Sequence, residues 1–527
     1  MKKIIFLFLI AGILVTAGCK KGYLTELQNN PNAPTTSAAT VQLVLPGTLT
    51  DLVGVVNGTG PYQNIAVFLG YWNYAGGYSF NNSVQNYVMT NSSPEVWANY
   101  YGILTNLNVI HQQASASPTL VNYVAISNIL EALCYKNLVD AYNDIPYSEA
   151  LKGSGDLFPK YDKGSDVYDS LVASLDASMA SIQANISNAT AVTPTSNDDI
   201  MFGGNMHDWL LFANTIKLKL LVQQSAVSAK QSYIKTEAGS TASVGYLDHD
   251  ALVNPGYTAA QPSPMYGQFG VAPSGGVNGD FNYIREGGYV IDFYKNTNDP
   301  RLGYFAGING TQPNDPGGSS NDYYSFSLPL NKANYNGDYQ GIQTTPTANS
   351  SGIGPGIVQS PVQSAVMMTA AESYFVQAEA VVRGYITGDA EQLYHAGITA
   401  SFEYLNVGNS PDTYAQAYYS QSNVANVTWP SSMDAQIQAI LTQKWAALNS
   451  INVYESWNDW RRTFNPSINS GYPIIPLSKS PSLSPSITHM PFRLYYPASE
   501  PEYNKTSWLA AGGDQVNPFT SKIFWMP

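Results

Sequence analysis

The 527 residues predict a mainly α-helical fold that carries one irregular, loop-rich insertion with short strands. Three observations predict it. Apolar residues recur three and four apart through several long blocks, the spacing of one helix face. Some of those blocks are joined by very few residues, which makes antiparallel helical hairpins. Between about 240 and 365 the composition turns to Gly, Pro, Asn and Tyr, and the helical period stops.

Taken in order, the chain opens with Lys2 and Lys3, then an uninterrupted apolar run from Ile4 to Val15, then Thr16-Ala17-Gly18 and Cys19. A basic start, a short apolar run and small residues have the shape of a secretory signal peptide over 1–18. The run is too short to span a membrane, which needs about 20 residues. The small residues before Cys19 look like a lipobox, where bacterial lipoproteins are cleaved and acylated, with Thr16 in place of the usual aliphatic residue. Cys19 is then the lipid attachment point. The other reading is an exported protein with an incidental cysteine. Residues 19–40, with "NNPNAPTTSAAT", read as a tether.

Residues 41–527 read as one domain. In Leu120–Tyr142 the apolar positions Leu120, Val124, Ile126, Ile129, Leu130, Leu133, Leu138 and Val139 form a helical stripe. Asp166–Ile186, Trp209–Val222, Ala370–Arg383, Ala390–Leu405 and Asp434–Leu448 read the same way. "AESYFVQAEAVVRGY" stops at Gly384, a C-cap, and "DAEQLYHAGITASFEYL" follows at once. Stacked hairpins suggest a helical repeat array, although no constant period emerges. Cys134 falls inside an apolar helix and reads as a core residue. With Cys19 committed, no intrachain disulfide is possible, and stability must come from a large packed core. The insertion of about 240–365 contains strand-like pieces such as "YYSFSLPL", and a second loop-rich stretch runs from Asn465 to the end.

Composition excludes some function classes. The net charge is −13 and only 12% of residues are charged, about half the usual share. No basic patch stands out, which argues against nucleic acid. Asn, Ser, Gly and 38 Tyr supply much of the polarity. Neutral hydrogen-bonding groups with many aromatic rings suit an extracellular protein and sugar binding.

Enzyme motifs are missing. There is no Gly-x-Ser-x-Gly elbow and no phosphate-binding Walker loop. "GIGPG" at 352–356 lacks a following helix and reads as a loop. The histidines at 111, 207, 249, 395 and 489 have no metal-ligand spacing, and no cofactor is implied. "DHD" at 248–250 reads as a solvated turn or a weak cation site. In "YESWNDWRR", Glu455 and Asp459 are four apart and share one helix face. A glycosidase needs two carboxyl groups on opposite sides of the sugar bond, so this pair reads as structural, with Arg461 and Arg462 as ion-pair partners.

The aromatic loops are the binding candidates. "FLGYWNYAGGYSF" (68–80) holds six aromatic residues around Gly70, Gly76 and Gly77. Aromatic faces stack on the C–H faces of pyranose rings, and amides bond the hydroxyls. Tyr71, Trp72, Asn73, Tyr74 and Tyr78 are therefore candidate ligand contacts. The rival reading is that the loop folds back and its rings cap the core. A second cluster lies in the insertion, where Tyr283 and Tyr289 are the candidates, beside Tyr294, Tyr323 and Tyr324.

The helical blocks carry a family resemblance. "YNDIPYSEAL" followed by "PKYDKGSDVYDSLVASLD" resembles the turn and helix of SusD/RagB outer-membrane lipoproteins. "TAAESYFVQAEAVVRG", "QLYHAGITASFEYL", "ILTQKWAALNSINVYESWNDWRRT", "PFRLYYPASEPEYN" and the ending "SKIFWMP" are similar to further blocks of that family, in its order. The match is nearest to the branch described as starch-binding and outer-membrane-associated. The resemblance implies tetratricopeptide-like helix pairs and no enzymatic activity. It implies an oligosaccharide ligand, a SusC-like TonB-dependent transporter as partner, and attachment to the outer membrane through lipid on Cys19. Lys20 and Lys21 stand where surface-exported members often carry acidic residues. Ligand-contacting aromatics vary in position within the family, so none carries over one to one. Two alternatives stay open: a peptide-binding lid on the same kind of transporter, and a secreted glycoside hydrolase.

Overall fold

A computed structural model describes residues 40–57, 63–92, 96–308, 332–408 and 410–527. The expected signal peptide, Cys19, the tether up to residue 39, Tyr323, Tyr324 and "YYSFSLPL" lie outside the described residues. Among those described, the frame is a series of helices packed in sequence-adjacent pairs. It begins with α1 (Val41–Val56), α2 (Trp97–Ser115), α3 (Val121–Tyr142), α4 (Gly164–Asn185), α5 (Met206–Gln223) and α6 (Gln231–Ser240). The insertion contributes α7 (Gly288–Asn296). The frame resumes with α8 (Ala370–Val382), α9 (Ala390–Tyr404), α10 (Pro411–Tyr419), α11 (Met433–Ala447) and α12 (Val453–Arg462). Helix α2 packs on α3, α3 on α4, α4 on α5, α8 on α9 and α9 on α10, while α11 closes against α8. These are the tetratricopeptide-like hairpins, and every long helix block read from periodicity is present to within a few residues.

The α8–α9 joint shows how the sequence sets a hairpin. Arg383 caps α8, and Gly384 follows at φ +71°, a left-handed conformation that glycine adopts without strain. The Gly384 N–H returns to the Val381 carbonyl at 2.9 Å. Asp389 then accepts the Gln392 N–H at 3.1 Å, satisfying one open donor at the start of α9. Helix α3 differs from the expectation of a single apolar face. It is buried on nearly every side, Cys134 included, because α2 and α4 flank it and α5 also touches it. Its polar residues Lys136, Asn137 and Asp140 are consequently interior.

Sheet structure is slight. β1 (Trp72–Tyr74) pairs antiparallel with β5 (Ile284–Glu286), β2 (Ile145–Pro146) with β3 (Tyr161–Asp162), and β4 (Ala251–Val253) with β6 (Ala365–Met368). The insertion is irregular, as expected. It also holds α7 and short helices at Pro264–Phe269 and Leu302–Phe305, which its Gly- and Asn-rich composition hides. One continuous core of buried side chains runs from Val41 to Met526, and the insertion's Phe269, Phe281, Ile284 and Tyr294 belong to it. No helix among the described residues is long and apolar enough to cross a membrane.

Candidate functional site

The glycine-bearing loop at 68–80 is where the insertion meets the helical frame. Gly70 sits at φ +73°, and a Cβ there would lie 2.9 Å from the ring of Tyr289. At Gly76 a Cβ would lie 2.5 Å from the Thr344 carbonyl oxygen. The glycines therefore let the insertion close tightly over the loop. β1 registers Trp72 against Glu286, Asn73 against Arg285 and Tyr74 against Ile284. The 338–345 turn closes from the other side. Asp338 holds that turn by accepting the Thr344 and Thr345 N–H groups at 2.6 and 2.7 Å.

This closure corrects the expectation of an exposed platform at Tyr71, Trp72, Asn73 and Tyr74, all of which are buried. The Tyr71 hydroxyl donates to the Trp445 carbonyl at 2.6 Å, and its ring stacks on the Trp445 indole at 5.2 Å. The Trp72 indole N–H donates to Ser450 Oγ at 2.8 Å. The Asn73 amide lies within 2.9 Å of the carbonyls of Asp338, Tyr339 and Ile342, and its oxygen accepts from Gln85. Their polar atoms are spent inside the protein. Tyr289 is likewise engaged. Its hydroxyl donates to the Ile474 carbonyl at 2.7 Å and its ring meets Trp445 edge-on. Tyr294 is buried against Phe305.

What reaches solvent is the end of the same ladder of rings. Buried Tyr74 packs on half-buried Tyr283 at 4.8 Å, and Tyr283 meets Tyr78 edge-on at 5.6 Å. Tyr78 is 45% exposed and Phe80 37%. Asn82 and Asn282 lie exposed in the same two segments. Beneath them Arg285 donates to the Phe281 and Ser350 carbonyls. Burial lowers its pKa to about 10, so it stays charged at neutral pH. The structure thus joins Tyr78 to Tyr283, one candidate from each sequence cluster. Two supported rings beside exposed amides offer stacking and hydroxyl recognition.

The "YESWNDWRR" segment forms α12 and is buried throughout. Glu455 accepts from Lys136 Nζ at 2.7 Å and pairs with Lys219 at 3.2 Å. Burial alone would raise its pKa, but Lys136, Lys219 and Lys444 hold it far below the usual carboxylate range. Asp459 pairs with Lys444 at 2.9 Å and Arg462 at 2.8 Å, and Arg462 continues to Glu379. Glu455 borders an internal void of about 10 Å³, room for roughly one water molecule and not a sugar. Among the described residues, no group of three or more His, Cys, Asp or Glu could hold a metal ion. In "DHD", Asp248 bonds His249 at 2.9 Å and Asp250 accepts the Ala370 N–H at 2.8 Å, at the start of α8. Both border an open polar groove of about 460 Å³ with Gln359, Gln363 and Glu403.

Solved structures share this architecture. A chitin-binding protein superposes with a TM-score of 0.70 at 23% identity, covering 92% of this chain and 99% of that one. A chitin-binding SusD homologue from Flavobacterium johnsoniae gives 0.69 at 22% identity over 91% and 98%. A SusD homologue from Bacteroides fragilis gives 0.67 at 22% identity over 92% and 99%. No curated protein sequence matches the chain. The sequence profile of the SusD-like family, described as starch-binding and associating with the outer membrane, matches residues 32–497. With that span of the chain and the fold both matched, the protein belongs to the SusD-like family of starch-binding, outer-membrane-associated proteins.

Proposed function

We propose that this protein is a cell-surface glycan-binding lipoprotein that captures oligosaccharides and delivers them to a SusC-like TonB-dependent transporter. Family membership over residues 32–497 is the observation that carries the reading. Exposed Tyr78, packed against half-buried Tyr283, supplies a surface of matching chemistry. In this reading residues 1–18 are the export signal, Cys19 carries the lipid, 19–40 form the tether, and 41–527 bind the ligand. The protein performs no hydrolysis, in keeping with carboxylates at 455 and 459 that are bound up in ion pairs. The family description and the chitin-binding relatives nominate α-glucans and β-linked N-acetylglucosamine chains as first ligands to test.

Two experiments test it. An array of starch- and chitin-derived oligosaccharides, alongside peptides, should show glycan binding; retention of peptides alone would replace sugar with peptide as cargo. Mild-detergent extraction from the native membrane should recover a TonB-dependent transporter with the protein. Recovery as a free monomer, under conditions that keep other outer-membrane complexes intact, would remove delivery from the function.

A further inference from the structure

Of nine tryptophans, all but Trp429 and Trp508 are buried. Trp429 borders an open groove of about 480 Å³ formed by α9, the end of α10 and the loop leading to α11. Its ring rests on buried Tyr394 at 5.1 Å. Its indole N–H makes no hydrogen bond with any described residue. A second aromatic surface lines the same groove, where His395 and Tyr419 stack at 4.0 Å and 14°. Burial lowers the His395 pKa, against the pull of Glu391 and Asp389, so that ring is uncharged at neutral pH.

The loop between these surfaces is fixed in place. The Gln421 amide donates to the Thr297 and Tyr418 carbonyls at 3.0 Å and accepts from Asn298 at 3.2 Å, tying the loop to the insertion. Thr428 Oγ1 donates to the Gln421 carbonyl at 2.6 Å. The Tyr394 hydroxyl reaches the Val427 carbonyl at 3.0 Å from below. Asn423 and Asn426 hold φ of +61°, a conformation asparagine tolerates better than most residues. A groove whose walls are held before a ligand arrives loses less entropy on binding.

We propose that this groove is a second carbohydrate subsite, taking a neutral pyranose unit against Trp429 and the His395–Tyr419 pair. The proposal rests on the reading that the protein binds glycans. Its chemistry selects among ligand classes. Among the described residues Glu391 lines the groove and no Lys or Arg does, so a phosphate or carboxylate would meet no cation there. Ser420, Ser422 and Asn423 are exposed around the rings and suit hydroxyl groups. The free indole N–H adds a donor at the edge of a stacking face.

The test uses the full chain, extracted in mild detergent and labelled with 5-fluorotryptophan. Trp429→Phe identifies the Trp429 fluorine resonance and keeps a ring in the groove. Maltoheptaose and chitohexaose are titrated separately, with calorimetry on the same samples. The Trp429 resonance should move with at least one sugar and should still move in Tyr78→Ala. Trp429→Ala should weaken retention on the corresponding insoluble polysaccharide by about tenfold. Heat of binding with an unmoved Trp429 resonance would overturn the groove and leave the proposed function standing. A shift that vanishes in Tyr78→Ala would place the sugar at a single site and also overturn it. No heat and no shift with either sugar would overturn both readings.

Discussion

Lys136 and Glu455, 319 positions apart, meet at 2.7 Å inside the protein. The contact ties α3 to α12, and neither side chain reaches solvent appreciably. Lys136 also bonds Asp140 at 2.8 Å, while Glu455 also pairs with Lys219, which in turn bonds Glu372. Four helices, α3, α5, α8 and α12, thus share one charged cluster at the centre of the frame. Interior ions are costly to desolvate, and they persist here because Lys136, Lys219 and Glu455 each have two opposite partners.

Replacing Glu455 by Gln should leave Lys136 and Lys219 without enough countercharge. Breaking a buried pair from one side costs about 3–5 kcal/mol. Urea unfolding of Glu455→Gln should show a loss of that order, with the wild-type slope. Reducing-sugar release from bound starch or chitin oligosaccharides should be absent in both proteins. A hydrolytic activity that the substitution abolishes would make Glu455 a catalytic residue instead.

Acid should destabilise the fold through the same cluster and its neighbour. Glu379 is buried, which alone would raise its pKa, but Arg462 and Arg383 bring it down to about 2. Glu455 is depressed further by its lysines. Carboxylates depressed in the folded state stabilise it above their unfolded pKa of about 4.5, and the contribution is lost as pH falls through the folded values. Unfolding free energy should therefore drop steeply between about pH 5 and pH 2. In Glu379→Gln the acid limb should be shallower, as read from urea midpoints across that range. An unchanged limb would remove Glu379 from the account.

Tyr78 and Trp72, six positions apart, should separate binding from stability. Tyr78 is 45% exposed and Trp72 is 2% exposed. Losing one stacking ring should weaken glycan binding by about tenfold, so Tyr78→Ala should bind less tightly and melt like the wild type. Trp72→Ala should lose about 3–5 kcal/mol of stability, the usual cost of a large-to-small change in a core. Calorimetric titration and thermal melts in one buffer check both. The reverse pattern would return the platform to Trp72.

The sequence carried the frame because amphipathic helices announce themselves locally. The period in Ala370–Val382, the glycine at 384 and the aspartate at 389 are visible without knowledge of any distant residue. Local signals in the loop at 68–80 leave open whether its rings face solvent or cap the core, because its cover comes from residues 284–286 and 338–345, more than 200 positions away. Gly70 and Gly76 are points of close approach to that distant cover. Trp429 gave only a weak local signal, a lone tryptophan in the polar stretch "NVTWPSS". Its partners His395 and Tyr419 join it only once α9 and α10 pack together. The ion cluster was half legible, since Glu455 and Asp459 suggested ion pairs, but Lys136, Lys219 and Lys444 lie on three other helices.

Cys19 should hold the protein at the outer membrane. Lys2, Lys3, the apolar run 4–15 and the small residues before Cys19 have the shape of an export and processing signal. No described helix can anchor the chain by spanning a membrane, and the family associates with the outer membrane. Lipid on Cys19 would reconcile the two. A single acyl chain binds membranes only marginally, whereas two or more give stable attachment, so the mature protein should carry several. Cys19→Ala should yield an uncleaved or mislocalised precursor, seen as higher mass and loss from the outer-membrane fraction. Mass spectrometry of the wild type should show an acylated N-terminal cysteine. A Cys19→Ala protein that fractionates with the outer membrane at wild-type mass and yield would exclude the anchor and require a protein partner to hold the chain there.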